Sequence, residues 1–269
     1  MLYFIQVDLR LEEWKMSEEI ELTLLKEIEQ LKTKILNMEG IEENKIPTYQ
    51  FSKISMPQLK KLVNIKQKSS GNYFDTWFNN KNIVDKDTIL FFQELIDNNK
   101  ELINAYNEED LKIKFLAPLL NKVKFTSTKN EFRDFYELPL LYKTDEFILN
   151  GTTDFVVSKG LFESEKPYFF IQEFKKGQTN AYPESQLLAE LVTATELNGW
   201  ESIKGAYVVG ASWYFVILKR LKKHTYHYFV SQSFDSTKIQ DLQNIYTNLL
   251  FIKNEITQII EKEELLSTS

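Results

Sequence analysis

The 269-residue chain has no cysteine and two histidines, which excludes disulfides, thiolate metal centres and a cysteine nucleophile and leaves histidine-centred chemistry little to work with. Hydrophobic residues make up 43% and aromatic residues 14%, enough to bury a sizeable core. The net charge of −6 sits wholly in residues 1–44, with eleven acids against five bases, so overall charge does not mark a general nucleic-acid binder.

In chain order, acids appear too early in MLYFIQVDLRLEEW for a signal peptide, and no apolar run approaches the length of a membrane span. A soluble, cytoplasmic protein with no membrane partner is expected, with Met16 as an alternative start. Ser17 to Met38 reads as a helix with a seam of Leu24, Ile28, Leu31, Ile35 and Met38. Gly40 to Pro47 breaks it. Pro57 to Lys66 reads as a short helix, KSSGN as a loop, and Tyr73, Phe74, Trp77 and Phe78 as a local aromatic core. Further helix is expected over Thr88 to Asn98 and Lys100 to Tyr106.

Glu108 to Lys122 is an amphipathic helix whose buried face is Leu111, Phe115, Leu116, Leu119 and Leu120, with Glu108 and Glu109 on the same side. Strands follow at Phe135 to Tyr142, Phe147 to Ser158 (interrupted or bent near Asn150-Gly151) and Pro167 to Lys175. The helix Pro183 to Leu197 opens on proline, carries Glu184 in its first turn and closes at Asn198-Gly199. Leu187, Leu188, Leu191 and Val192 form its buried face, and Gln186 sits at the rim. Strands at Lys204 to Ala211, Trp213 to Leu221 and Thr225 to Ser231 complete a meander. Ser236 to Glu264 is a long amphipathic helix with Leu242, Ile245, Leu249, Ile252, Ile256 and Ile259 on one side, expected to pack on the N-terminal helix or a second subunit.

Chemistry concentrates at two strand ends. Alternation puts Phe169, Ile171, Glu173 and Lys175 on one face, so a core strand turns charged where it ends. Asp154 opens an apolar run on the preceding strand, and hairpin pairing brings it to that same end. Two close carboxylates each favour protonation unless a cation joins them. Hard oxygen ligands suit Mg²⁺ or Mn²⁺, and a neighbouring lysine can orient water or hold developing negative charge.

Asp154, followed by Glu173-Phe174-Lys175, resembles the D…ExK signature of the PD-(D/E)XK nuclease superfamily, and the resemblance spans roughly Asn107 to Val230. It is similar above all to the N-terminal nuclease domain of type I restriction enzyme R subunits, through the run NEEDLKIKFLAP. The chain departs from the pattern in two places: Thr153 replaces the usual proline, and Glu190 stands where related nucleases carry a tyrosine four residues after the glutamine. The resemblance implies a restriction-endonuclease-like α/β fold, a mixed sheet with an α-β-β-β-α-β core and added strands flanked by helices. It implies metal ligands Asp154, Glu173, the Phe174 carbonyl and Glu108, with Lys175 at the attacking water and Gln186 in support. The expected activity is Mg²⁺-dependent hydrolysis of phosphodiester bonds in DNA.

Three segments are expected: a helical extension over residues 1–100, the nuclease-like core over 101–235, and the C-terminal helix over 236–269. Two base-only stretches flank the site in sequence, with Lys112, Lys114, Lys122, Lys124 and Lys129 in one and Lys204, Lys219, Arg220, Lys222 and Lys223 in the other; both are candidates for tracking a phosphate backbone. The rival readings are a non-cleaving nucleic-acid-binding module on the same fold and an interaction protein that forms homodimers through its terminal helices.

Overall fold

The computed structural model describes residues 46–175 and 183–267. The helix expected over Ser17 to Met38, its part in a homodimer and the alternative start at Met16 lie outside the described residues. The fold is mixed α/β, with a curled mixed sheet and a long C-terminal helix.

Among the described residues nine strands form one sheet: β1 (Thr48–Gln50), β2 (Asn64–Gln67), β3 (Phe132–Lys143), β4 (Ile148–Lys159), β5 (Glu165–Lys175), β6 (Ser202–Val209), β7 (Ser212–Lys222), β8 (Thr225–Val230) and β9 (Phe234–Asp235). Their order is β1-β4-β5-β6-β7-β8-β2, with β3 on the other edge of β4 and β9 on β7. The pairs β1–β4, β5–β6 and β2–β8 are parallel, and the others are antiparallel. β1 and β5 divide one edge of β4 between them. The stretch 47–67 therefore contributes two edge strands to the sheet, where the sequence suggested a purely helical extension. Both strands are too short to announce themselves by alternation, yet they cover edges whose N–H and C=O groups would otherwise stay unpaired.

The helices are α1 (Met56–Leu62), α2 (Asp75–Phe78), α3 (Lys86–Asn99), α4 (Glu108–Leu111), α5 (Ala117–Val123), α6 (Pro183–Asn198) and α7 (Ile239–Ser267). Residues Lys112–Leu116 link α4 to α5 as one wide π turn. Pro118 explains it: proline has no N–H for the carbonyl four residues back and its ring crowds that carbonyl, so the α-helical ladder cannot run straight through. Asn107 caps the start, its side-chain oxygen accepting from the Asp110 N–H at 2.8 Å.

The sheet curls around α6. Tyr142 in β3 and His224 in the β7–β8 turn, far apart in strand order, meet through a 2.8 Å hydrogen bond. As a result every residue from Ser185 to Thr195 is buried. One side of α6 carries the expected Leu187, Leu188, Leu191 and Val192; its other side is buried as well, Gln186 included. Close approach is needed: a Cβ on Gly205 in β6 would lie 2.8 Å from the Ile171 carbonyl oxygen and 3.0 Å from Leu191. At Gly151, with φ +152°, the Phe51 ring fills the space of a side chain, and β4 runs through without the expected interruption.

The opposite face of the sheet carries α3, the α4–α5 segment and α7 in a second core. Leu111, Phe115, Leu116, Leu119 and Leu120 are all buried there, as the helical pattern predicts. Trp77 and Phe78 join this long-range core, packing edge-on against Phe215. The α7 seam, Leu242, Ile245, Leu249, Ile252, Ile256 and Ile260, is buried within the chain. Those side chains are therefore covered within the chain and do not form a face for a second subunit. Ile260 takes the place expected for Ile259, which is only partly buried. No described helix is long and apolar enough to cross a membrane.

Candidate functional site

The hairpin register brings the strand-end residues together. Phe155 pairs with Gln172 and Val156 with Ile171, which leaves Asp154 opposite Glu173. The Phe174 N–H donates to Asp154 Oδ2 at 2.8 Å, while the Phe174 ring turns to the other face of the sheet and is buried there. Lys175 Nζ lies 2.5 Å from Glu173 Oε1 and 3.6 Å from Glu108 Oε1. Among the described residues no other donor reaches either Glu173 oxygen.

The second half of the site comes from the helices. Gln186 Nε2 donates to Glu190 Oε1 at 3.2 Å, and Glu190 Oε2 has no hydrogen-bond partner among the described residues. Gln186 thus meets the strand carboxylates through Glu190. Both Glu173 and Glu190 are fully buried. Burial pushes the Glu173 carboxyl well above the usual range, and the Glu190 and Asp154 charges add to it. Glu190 is raised in the same way, by burial first and then by Asp154, against the Gln186 hydrogen bond. For Lys175, burial works against the charge, but the Glu173 carboxylate outweighs it and the ammonium is held more firmly than usual.

Lys112, the first residue of the π turn, is the least expected member. Its Nζ donates to Asp154 Oδ1 and Glu137 Oε1, each at 2.8 Å, with Glu108 at 3.7 Å and Glu109 at 3.9 Å. Burial alone would lower its pKa; the hydrogen bonds to Asp154 and Glu137 overcome that and raise it. Glu137 is placed by β3: the register passes from Tyr136–Phe155 to Leu138–Thr153, so Glu137 faces Asp154. Its φ of +51° is unusual for a side chain of this kind.

Of the sequence-based site residues, Asp154, Glu173, Lys175 and Glu108 come together directly, and Gln186 joins them through Glu190. Lys112, Glu137 and Glu190 were missed. For Lys112 the spacing of four from Glu108 was a usable signal; Glu137 carries none, since only strand register brings it to Asp154. The oxygen donors are of the hard kind that suits Mg²⁺ or Mn²⁺. As arranged, however, Lys112 pairs with Asp154 and Lys175 with Glu173, and no three acidic or histidine side chains among the described residues converge to hold a metal ion.

The row continues across the sheet. Glu173 pairs with Tyr207 on β6, and Tyr207 with Tyr214 on β7, their rings stacked 4.7 Å apart. Several bases of the two base-only stretches are paired. Lys114 pairs with Asp110, Lys129 with Glu261, Lys204 with Glu255 and Arg220 with Glu196. Folding thus brings distant acids to Lys129, Lys204 and Arg220, while Lys114 pairs with an acid one turn away.

No protein-family model matches this chain, and no curated protein matches it.

Proposed function

We propose that the chain is a metal-dependent phosphodiester hydrolase of the PD-(D/E)XK type acting on DNA. The observation that carries this reading is the meeting of Asp154 with Glu173-Phe174-Lys175 at one strand end, tied by the Phe174 N–H to Asp154 bond. The donor set is of the kind that suits Mg²⁺ or Mn²⁺: one buried carboxylate oxygen on each of Glu173 and Glu190, Oε2, has no hydrogen bond among the described residues. Asp154 and Glu173 would hold the cation, with the Phe174 carbonyl and Glu108 as further oxygens. When bound, such an ion supplies a more acidic water and a sink for charge on a phosphoryl oxygen.

Lys175 then orients rather than deprotonates. Its proton is held firmly by Glu173, and a charged ammonium has no lone pair to accept another. It donates to the attacking water and to the negative charge that develops on phosphate. Glu190 Oε2 is unpartnered among the described residues and, once cation binding favours its ionised form, accepts the proton of that water. The Tyr207–Tyr214 stack lies on the same row, and a base can rest on such a surface.

A second reading, a non-cleaving nucleic-acid-binding module, is favoured by one observation: Lys112 and Lys175 already occupy Asp154 and Glu173, the two carboxylates that would hold a metal. A plasmid-nicking assay with Mg²⁺ and with EDTA, on wild type and on Lys175→Ala, separates the two. Metal-dependent nicking lost in the variant is the expected result. DNA binding without nicking supports the second reading, and equal nicking in both proteins defeats the assignment.

A further inference from the structure

The Lys112 ammonium sits among four carboxylates, and two of them lie opposite each other on neighbouring strands. Asp154 and Glu137 face across the β3–β4 ladder, a like-charged arrangement that destabilises a sheet unless a cation is shared. Lys112 Nζ supplies that cation at 2.8 Å from each, with Glu108 at 3.7 Å and Glu109 at 3.9 Å. The side chain is only 12% exposed. Beside this group lie two fully buried carboxylates: Glu173, whose Oε1 meets Lys175 Nζ at 2.5 Å and whose Oε2 has no hydrogen bond among the described residues, and Glu190, whose Oε2 has none either. The charges of both are felt together with that of Asp154. The donor set thus exceeds what its two ammoniums satisfy, which marks a place built for more positive charge than the chain supplies.

We propose that Lys112 is a tethered occupant of a divalent-cation position bounded by Asp154 and Glu137, so that an ion enters only as the ammonium withdraws, and that Glu137 is a further ligand of that ion. The inference rests on the hydrolase reading for the kind of ion involved. Two cations cannot share the Asp154 Oδ1 oxygen at close range, because their repulsion in a half-buried setting exceeds what water screens. A lysine ammonium on its flexible four-carbon stem can swing aside without disturbing the helix. A nucleic-acid phosphate is the acceptor a displaced ammonium would seek, which ties cation entry to the arrival of the substrate.

The probe is Mn²⁺ alone, without nucleic acid, titrated into the full chain and read by electron paramagnetic resonance of the free ion. Lys112→Met is expected to tighten Mn²⁺ binding by about tenfold or more over wild type. Adding Glu137→Gln to that variant is expected to return most of the gain. Mn²⁺ binding in Lys112→Met that is unchanged or weaker overturns the proposal, as does a double variant that binds as tightly as the single one. Should uncompensated carboxylates keep Lys112→Met from folding, Lys112→Gln retains donors for Asp154 and Glu137. Its melting temperature is then expected to rise at lower Mn²⁺ concentration than that of wild type, and the absence of such a difference refutes the idea equally. Because no nicking is measured, the two readings fail separately. Tightened Mn²⁺ binding without nicking removes the hydrolase and leaves this site, whereas nicking with unaltered Mn²⁺ binding does the reverse.

Discussion

Glu190 offers the sharpest test of the buried site. Its carboxyl is fully buried on α6, with one oxygen hydrogen-bonded by Gln186 and the other unpartnered among the described residues. Burial, followed by the Asp154 charge, raises its pKa in the folded state, whereas in the unfolded chain a glutamate titrates near about 4.3. A carboxyl raised on folding contributes stability that is fully present below its unfolded pKa and is lost as pH rises through the folded one. Glu190→Gln removes that loss and keeps the shape. The desolvation penalty of such a group is several kcal/mol, of which about 2–3 kcal/mol remains after allowing for the Gln186 hydrogen bond. In a chain of this size each kcal/mol moves the melting temperature by about 2–4 °C. The variant should therefore melt about 5–10 °C above wild type near pH 8 without metal, and level with it near pH 4. Calorimetry or circular dichroism at both pH values checks this. A difference independent of pH, or a variant less stable at pH 8, would refute the reasoning. A gain in stability bought with a loss of nicking would mark Glu190 as strain kept for function.

Three further outcomes are expected. Gly205→Val should destabilise the protein by about 1–3 kcal/mol in urea unfolding, because the Ile171 carbonyl and Leu191 leave no room for the added carbons. Glu196→Ala should cost about 3 kcal/mol in the same assay. Its carboxylate holds Arg220 at 3.1 Å and accepts from the Tyr226 hydroxyl, and truncation leaves both stranded beneath the curled sheet. Leu249→Ala should cost about 2–5 kcal/mol without exposing a dimer contact, since Leu249 is fully buried inside the chain; light scattering before and after the change should read the same mass.

Local pattern was enough for much of the molecule. The apolar period of Glu108 to Lys122, the proline start and Asn198-Gly199 end of α6, and the charged close of β5 all follow from neighbours a few residues apart, where propensity and periodicity act directly. The convergence of Asp154 on Glu173 was legible too, because one hairpin sets it. What tertiary structure decided is everything that depends on the curl of the sheet and on pairings between distant segments. The curl buries α6 all round, taking Gln186 and Glu190 from a helix surface into a carboxylate cluster. The seam of α7 looks free for a partner when read alone, yet the sheet behind it takes it up. The lysines of the base-only stretches find acids as far away as Glu255 and Glu261. Lys112 and Glu137 reach Asp154 only because a π turn and a strand register place them there. Period and composition report which face of an element is apolar; they carry no record of which distant charge will stand opposite, since that is set by the packing of whole elements against one another.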